Sequence, residues 1–210
     1  MANTALIVVD MQKDFMPDGA LPVRGGYDIV ERINDLMASF ELVVATQDWH
    51  PPDHGSLASN HEGHEVGDII ELEGLEQFLW PDHCVQDTEG AEFVDALETD
   101  RFDEVFRKGD DPRYDSYSGF FDNGHQSATG LREYLEERSV EDVFVCGVAT
   151  DYCVKYTVLD ARRIGFRTHL IVNACRGVVN EAGDIEESVA EMADAGAEVV
   201  STTYALERPR

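Results

Sequence analysis

A cysteine follows an apolar stretch in the segment GVATDYCV, residues 147–154, at the point where a buried strand would turn into a helix. Free N–H groups and the positive end of the helix dipole favour a thiolate at such a position, and they could also hold an oxyanion. Cys153 is therefore a candidate nucleophile. The alternative is a small buried cysteine, which is what we expect of Cys146 inside its strand.

A carboxylate and an ammonium are candidates to activate this thiol. Asp10 ends the apolar run ALIVVD, and Lys108 ends the run EVFRK in a chain with only three lysines. Asp10 could take the thiol proton, and Lys108 lying between Asp10 and Cys153 would lower the pKa of both. The alternatives are a carboxylate that caps a turn and an ordinary surface lysine.

Histidines cluster in one part of the chain, because five of the seven fall within residues 50–83. Mixed histidine and carboxylate ligands suit a divalent transition metal such as zinc, iron or manganese, with a coordination position left open. The candidate ligands come from the segments DWHPPDH and WPDHC and are Asp48, His50, His54 and His83. The alternatives are a polar loop of solvated histidines or ligation by other members of the cluster, His61 and His64.

The elements that must position these residues follow from the apolar pattern. Short, unalternating runs rich in β-branched residues are typical of strands buried on both faces. Helical spacing fills the gaps between the runs, which predicts a parallel sheet with helices on both faces and one domain over 1–210. The predicted strands are 5–10, 41–46, 104–108, 142–147, 168–173 and 197–202, and the predicted helices are 27–40, 127–139, 151–165 and 184–196.

The same pattern predicts where the candidate residues meet. In open α/β sheets the site lies at the carboxyl ends of the strands, and Asp10, residues 46–50, Lys108 and the GVATDYC turn all fall there. The long segment from about 46 to 90 has little periodicity, and loops of that length inside a domain are usually functional. We therefore expect one site at this edge of the sheet.

Composition limits the partners and the compartment. The chain has 43 acidic and 16 basic residues and a net charge of −27, so its surface repels nucleic acid and anionic membranes. Four cysteines without regular spacing predict free thiols, and the absence of a signal peptide or a membrane-length apolar run predicts a cytoplasmic protein. We interpret the acidic excess as an adaptation to high salt, with a simply acidic protein as the alternative.

Five blocks in this order resemble the nicotinamidase branch of the isochorismatase-like cysteine hydrolases. They are VVDMQKDFMPDGAL, TQDWHPPDHGSLAS, WPDHCVQDTEGAEF, FRKGDD…YSGFFD and GVATDYCVKYTVLDA. The resemblance implies a three-layer α/β/α sandwich around a six-stranded, mostly parallel sheet. It also implies hydrolysis of nicotinamide to nicotinate and ammonia through a cysteine thioester, as in NAD salvage, with a homo-oligomer as one possible assembly.

The resemblance also assigns roles to residues. It implies a divalent metal, zinc before iron or manganese, on the pyridine nitrogen of the substrate, and a cis peptide bond before Ala149. Other hydrolases of this fold act on carbamoyl or ureido amides or on a vinyl ether, and a non-catalytic metal- or ligand-binding member is a further alternative. The implied roles are a triad of Asp10, Lys108 and Cys153, metal ligands Asp48, His50, His83 and in some descriptions His54, oxyanion donors Ala149 and Cys153, and ring contacts Phe15, Trp80 and Tyr117.

Overall fold

A six-stranded parallel sheet forms the centre of the computed structural model, which describes residues 4–178 and 183–207. The strand order is β5-β2-β1-β6-β7-β8, and all five strand pairings are parallel. A separate antiparallel pair is formed by β3 and β4. The strands are β1 (Thr4–Val9), β2 (Val43–Asp48), β3 (Ile69–Leu72), β4 (Leu75–Phe78), β5 (Glu104–Lys108), β6 (Asp142–Val148), β7 (Arg167–Arg176) and β8 (Glu198–Val200).

Helices cover both faces of the sheet, as predicted. From β1 the chain crosses to β2 on one side of the sheet centre, and from β6 it crosses to β7 on the other side. Because both crossovers are right-handed, helices α1 and α3 lie on opposite faces of the sheet. Helix α1 packs with α5, and α3 packs with α4. The helices are α1 (Val30–Met37), α2 (Leu131–Glu137), α3 (Lys155–Arg163), α4 (Asp184–Asp194) and α5 (Thr202–Glu207).

The hydrophobic core explains why the apolar runs become strands. Residues 5–9 of β1 are buried completely, as are most residues of β6 beside it. Helix α1 buries Ile33, Leu36 and Met37 on one face, in agreement with their helical spacing in the sequence. Each such side chain contributes about 1.5–3 kcal/mol through the apolar surface that it removes from water.

The strand order reverses between β1 and β6, and this switch point fixes the site. Val9 of β1 is paired with Gly147 of β6, so the segments that follow the two strands leave the sheet side by side. Val9 and Gly147 approach so closely that a Cβ on Gly147 would lie 2.1 Å from the Val9 carbonyl oxygen. The sheet therefore delivers Asp10 and the 147–154 turn to one crevice, as the sequence predicts.

Several boundaries and one element differ from the sequence-based prediction. Helix α2 starts at Leu131 rather than 127, because Asp122 binds the backbone N–H and the hydroxyl of Ser127 and holds that segment as a loop. The predicted last strand, 197–202, gives way to α5 from Thr202 onward. Within the 46–90 segment, a two-residue turn at Glu73 and Gly74, both with positive φ, closes an unpredicted hairpin.

Among the helices of the described residues, none is long and apolar enough to cross a bilayer.

Candidate functional site

Asp10 stands at the end of β1 in a buried, left-handed backbone conformation with φ 47°. Aspartate tolerates this conformation better than most residues do. The Thr46 hydroxyl donates a 2.6 Å hydrogen bond to its Oδ1. Its other oxygen, Oδ2, forms an ion pair with the Lys108 ammonium at 3.0 Å.

Lys108 brings the buried acidic groups together. It ends β5 directly opposite Asp48 of β2, and its side chain is completely buried. Its Nζ lies 3.0 Å from Asp10 Oδ2, 3.0 Å from Asp48 Oδ1 and 2.8 Å from the carbonyl oxygen of Ser116. The same Nζ lies 3.5 Å from Cys153 Sγ. The structure therefore brings the carboxylate of Asp10 and the sulfur of Cys153 together around the Lys108 ammonium, as the sequence predicts.

Cys153 lies in a turn of π-helix, Thr150–Val154, which leads into α3. The peptide bond between Val148 and Ala149, just before this turn, is cis, as the family resemblance implies. Ala149 and Cys153 both line the same small cavity. Their placement at the start of a helix, beside the switch point, agrees with the sequence analysis.

The pKa of the thiol differs from the sequence-based expectation. Burial raises the pKa of Cys153 well above its ordinary value, and the ammonium of Lys108 only partly opposes this effect. Burial likewise raises the pKa of Asp10, against the lowering effect of Lys108. The predicted lowering effect of Lys108 is present for both groups, but the loss of water on burial outweighs it, so both pKa values are raised. A raised pKa makes the Asp10 carboxylate a better proton acceptor, which suits a proton relay.

Asp48, His50 and His83 form a compact group that could hold a metal ion. Asp48 Oδ2 lies 3.2 Å from His50 Nε2 and 3.6 Å from His83 Nε2. The Nδ1 atoms of the two rings point away, toward the carbonyl oxygens of Gly109 at 2.9 Å and of Pro81 at 2.8 Å. Since a carbonyl only accepts, both rings carry hydrogen on Nδ1 and turn a bare Nε2 toward Asp48.

This donor set fits a divalent cation. His50 Nε2 is buried and has no hydrogen-bond partner among the described residues, and it faces a carboxylate oxygen that also lacks hydrogen. Two lone pairs so close need a positive charge between them. Burial opposes protonation of His50, but Asp48 outweighs it and raises the pKa of His50 to about 9. A proton or a metal ion is therefore drawn to this point.

Local backbone geometry holds His50 in this orientation. Gly109 follows β5 with φ 67°, and a Cβ there would lie 2.5 Å from Cε1 of the His50 ring. Only a glycine at position 109 lets the backbone carbonyl lie this close to the His50 ring. An isolated bridge between His50 and Val85 brings the WPDHC segment alongside, which positions His83.

His54 is buried nearby but does not belong to the same group. Its ring centroid lies 4.4 Å from that of His50, and potential ligand atoms of His54, His50 and Asp115 lie within 4.8 Å of one another. Burial lowers the pKa of His54, so its ring is neutral. The competing candidates His61 and His64 are not in either group: His61 Nε2 bonds the Gly55 carbonyl oxygen, and His64 lies 3.3 Å from Asp68.

Aromatic side chains wall the cavity beside Cys153. The Trp80 indole donates a 3.2 Å hydrogen bond to the Tyr117 hydroxyl, and Phe15 packs 5.6 Å from the His83 ring, centroid to centroid. Sequence reasoning missed Tyr152, whose ring stands edge-on to Trp80 at 4.9 Å. The cavity has a volume of about 20 Å³ and is partly open to solvent.

Asp115 is the other residue that the sequence analysis missed. It is buried, lines the cavity, and accepts hydrogen bonds from the Ser116 backbone N–H at 2.7 Å and from the Gln77 side chain at 3.0 Å. The signal that could have found Asp115 is the unit DSYSGFF at 115–121, three residues after the lysine block FRKGDD, whereas Gln77 comes from the unpredicted hairpin.

Comparisons with known proteins indicate one family. A family model described as "Isochorismatase domain" matches residues 4–204. A nicotinamidase of Escherichia coli (strain K12) is 45% identical over 210 residues, covering 98% of this chain and 96% of that protein.

Two solved structures are also similar. The "Acinetobacter baumanii nicotinamidase pyrazinamidease" superposes with a TM-score of 0.93 at 43% identity, covering 97% of this chain and 98% of that one. A pyrazinamidase of Pyrococcus horikoshii, solved in complex with zinc, has a TM-score of 0.77 at 40% identity, covering 95% of this chain and 99% of that one.

Proposed function

The chain belongs to the isochorismatase family, and on that premise we propose that it hydrolyses nicotinamide to nicotinate and ammonia. The observation that carries this proposal is the meeting of Cys153 Sγ, Lys108 Nζ and Asp10 Oδ2 at 3.5 and 3.0 Å at the wall of a small aromatic cavity. The similar proteins that are named for this activity match nearly the whole chain.

The chemical roles follow from the environment of each group. The Cys153 thiol gives its proton to Asp10, and the sulfur attacks the amide carbon. The backbone N–H groups of Ala149 and Cys153 hold the oxyanion, an interaction that typically contributes about 3–4 kcal/mol for one donor. Asp10 passes the proton to the nitrogen as the C–N bond breaks, which leaves a thioester and ammonia. Asp10 then takes a proton from water, the hydroxyl attacks the thioester, and the thiol is restored with nicotinate as product.

Lys108 stabilises charge throughout this sequence without exchanging its proton. Burial acts to lower its pKa, but the carboxylates of Asp10 and Asp48 raise it well above the ordinary value, so Lys108 remains an ammonium. Its distances to Asp10, Asp48 and Cys153 fix the relative positions of the acid, the sulfur and the metal ligands.

We assign Asp48, His50 and His83 as the ligands of a divalent cation, with zinc favoured and iron or manganese as alternatives. When bound there, such an ion supplies a Lewis acid for the pyridine nitrogen of the substrate. Phe15, Trp80 and Tyr117, together with Tyr152, hold the flat ring. Because the cavity has a volume of about 20 Å³, these side chains move apart when the ring enters.

The test is direct. Purified protein is offered nicotinamide, nicotinate is followed by chromatography, and ammonia is measured in parallel. We expect equal amounts of the two products. Turnover of a carbamoyl or ureido amide with no release of ammonia from nicotinamide would reassign the protein to another hydrolase of this fold.

We also propose that the protein works in a reducing, salt-rich cytoplasm. Its four cysteines are free and buried, and its net charge of −27 makes the compact state repel itself at low salt. Melting in 0.1 M and 2 M KCl tests the salt part. We expect a gain of at least about 4 °C at 2 M, equivalent to 1–2 kcal/mol for a chain of this size. A melting temperature that does not rise at 2 M KCl would show that the acidic excess is not an adaptation to high salt.

A further inference from the structure

Thr46 is a polar residue inside a buried strand, and its hydroxyl contacts the proton acceptor of the site. All six residues of β2 are buried, and Thr46 has no exposed surface. A buried hydroxyl needs a hydrogen-bond partner, and this one donates to Oδ1 of Asp10 at 2.6 Å. So short a distance is typical of a hydroxyl that donates to a charged carboxylate. The hydrogen of Thr46 therefore points at the side chain that exchanges protons with Cys153.

Packing keeps the hydroxyl in this direction. The backbone of Gly119 lies against the methyl group of Thr46, so that a Cβ on Gly119 would stand 2.6 Å from Cγ2. The Gly119 peptide is itself held, because its N–H donates to the Thr157 hydroxyl at 2.9 Å and its carbonyl oxygen accepts from the Thr129 hydroxyl at 2.7 Å. A β-branched side chain also has few rotamers. The methyl and the hydroxyl of Thr46 therefore do not exchange places.

Two strands hold the two oxygens of the Asp10 carboxylate. Thr46 of β2 occupies Oδ1, and the ammonium of Lys108 at the end of β5 lies 3.0 Å from Oδ2. The terminal torsion of an aspartate is broad when nothing restrains it, so a single contact would leave the carboxylate free to tilt. The backbone adds a third link, since the Asp10 N–H donates to the Thr46 carbonyl oxygen at 3.3 Å. The carboxylate consequently presents Oδ2 to the ammonium that also contacts the sulfur of Cys153.

We propose that Thr46 is a positioning residue for proton transfer: its hydroxyl occupies Oδ1 of Asp10, so that the proton taken from the thiol and given to the leaving nitrogen is carried on Oδ2. A proton on Oδ1 would weaken the bond from Thr46, whereas Oδ2 keeps a lone pair beside its contact with Lys108. Thr46 keeps its own hydrogen throughout, because Oδ1 of a protonated Asp10 is a carbonyl oxygen that still accepts. This inference rests on the proposed function, whose proton route it refines.

Kinetics of three variants test the role. Thr46→Val keeps the shape of the side chain but removes the hydroxyl, so we expect kcat for nicotinamide to fall about 10–100-fold while KM changes less than about 3-fold, since only proton transfer is disturbed. Thr46→Ser keeps the hydroxyl and should recover kcat to within about 5-fold of wild type. The matched control, Thr168→Val, removes a buried strand hydroxyl that donates to the Phe166 carbonyl oxygen at 3.2 Å, and it should leave kcat within about 2-fold of wild type.

A wild-type kcat in Thr46→Val, or a Thr46→Ser as slow as Thr46→Val, would overturn the proposal. So would a rise in KM with kcat unchanged, which would mean that substrate binding was disturbed instead. The solvent deuterium isotope effect on kcat separates positioning from a general loss of packing. We expect it to increase in Thr46→Val, because proton transfer then limits the rate, and an unchanged isotope effect would assign the loss to packing.

A measurement on the wild type keeps the proposal testable if Thr46→Val fails to fold. Neutron diffraction from crystals exchanged into D₂O locates hydrogens as deuterium. We expect the Thr46 hydroxyl deuterium to point at Oδ1, and any deuterium on the Asp10 carboxylate to be on Oδ2. A hydroxyl that points elsewhere, or deuterium on Oδ1, would refute the role. If wild type releases no ammonia from nicotinamide, the proposed function fails, while the neutron result still decides whether Thr46 occupies Oδ1.

Discussion

Two lysines of this chain each face several carboxylates, but they lie in opposite environments. Lys108 is completely buried, 3.0 Å from both Asp10 and Asp48. Lys13 lies at the surface, 3.0–3.4 Å from three carboxylates that are 64–90% exposed. The partners and distances are similar, and the carboxylates raise the pKa of both lysines, yet only the buried cluster holds its charges out of water beside a sulfur atom. Burial, rather than the number of ion pairs, separates a site from a solvated surface cluster.

The largest effect is expected at the sulfur of the buried cluster. Cys153→Ala should leave less than about 1% of wild-type ammonia release with the fold intact, because water is a far weaker nucleophile than the thiol. Cys146→Ala is the matched control: this cysteine is also buried, but it lies in β6 and its sulfur faces the Ile7 carbonyl. If Cys153→Ala were as active as Cys146→Ala, Cys153 would not be the nucleophile.

Removing the ammonium should unbalance the cluster. Lys108→Met keeps most of the volume but leaves the Asp10 and Asp48 carboxylates facing each other out of water. We expect a loss of about 3–5 kcal/mol in the free energy of unfolding, measured with urea, together with loss of activity. Adding Asp10→Asn to this variant should restore part of the stability, and no recovery would argue against charge as the cause.

The pH dependence of the metal-free protein should follow His50. Its pKa is raised from 6.5 to about 9 in the folded state, so the protonated ring stabilises the fold fully below pH 6.5. This stability, roughly 3 kcal/mol, should be lost as the pH rises from 6.5 to 9. Urea unfolding after treatment with a chelator measures it, and His50→Gln should flatten this part of the curve. If the pH dependence of the unfolding free energy were the same in His50→Gln, it would come from other titrating groups.

The smallest effect is expected at the surface lysine. Lys13→Met should lower the melting temperature by less than about 2 °C and leave ammonia release unchanged, since exposed pairs are screened by water and salt. If Lys13→Met lost as much stability as Lys108→Met, burial would not be what distinguishes the two clusters.

The sequence predicted the residues at or just after the ends of strands better than those farther along the loops. Asp10, Lys108 and Cys153 could be placed together because parallel strands end at one edge of a sheet and the apolar runs mark those ends. Strand β5 matches its predicted bounds, and β6 differs by one residue. The six strands and their parallel pairing therefore followed from the apolar pattern alone.

Loop residues were harder to predict, because their positions depend on contacts between distant segments. Asp115 and Tyr152 reach the cavity through a loop and a π-helical turn, which have no periodic pattern. The histidine cluster indicated a metal but did not divide its members. The histidines differ in the backbone group that contacts Nδ1, which is a carbonyl oxygen for His50 and an N–H for His54, and only the folded backbone determines this. The net pKa shifts of Asp10 and Cys153 were not predicted for the same reason, since burial, which outweighs the effect of Lys108, is a property of the whole fold.

The cavity of about 20 Å³ beside the buried Cys153 keeps large molecules away from the sulfur while its aromatic walls are closed. Since these side chains have to move apart before a ring can enter, bulky thiol reagents should modify Cys153 more slowly than small ones.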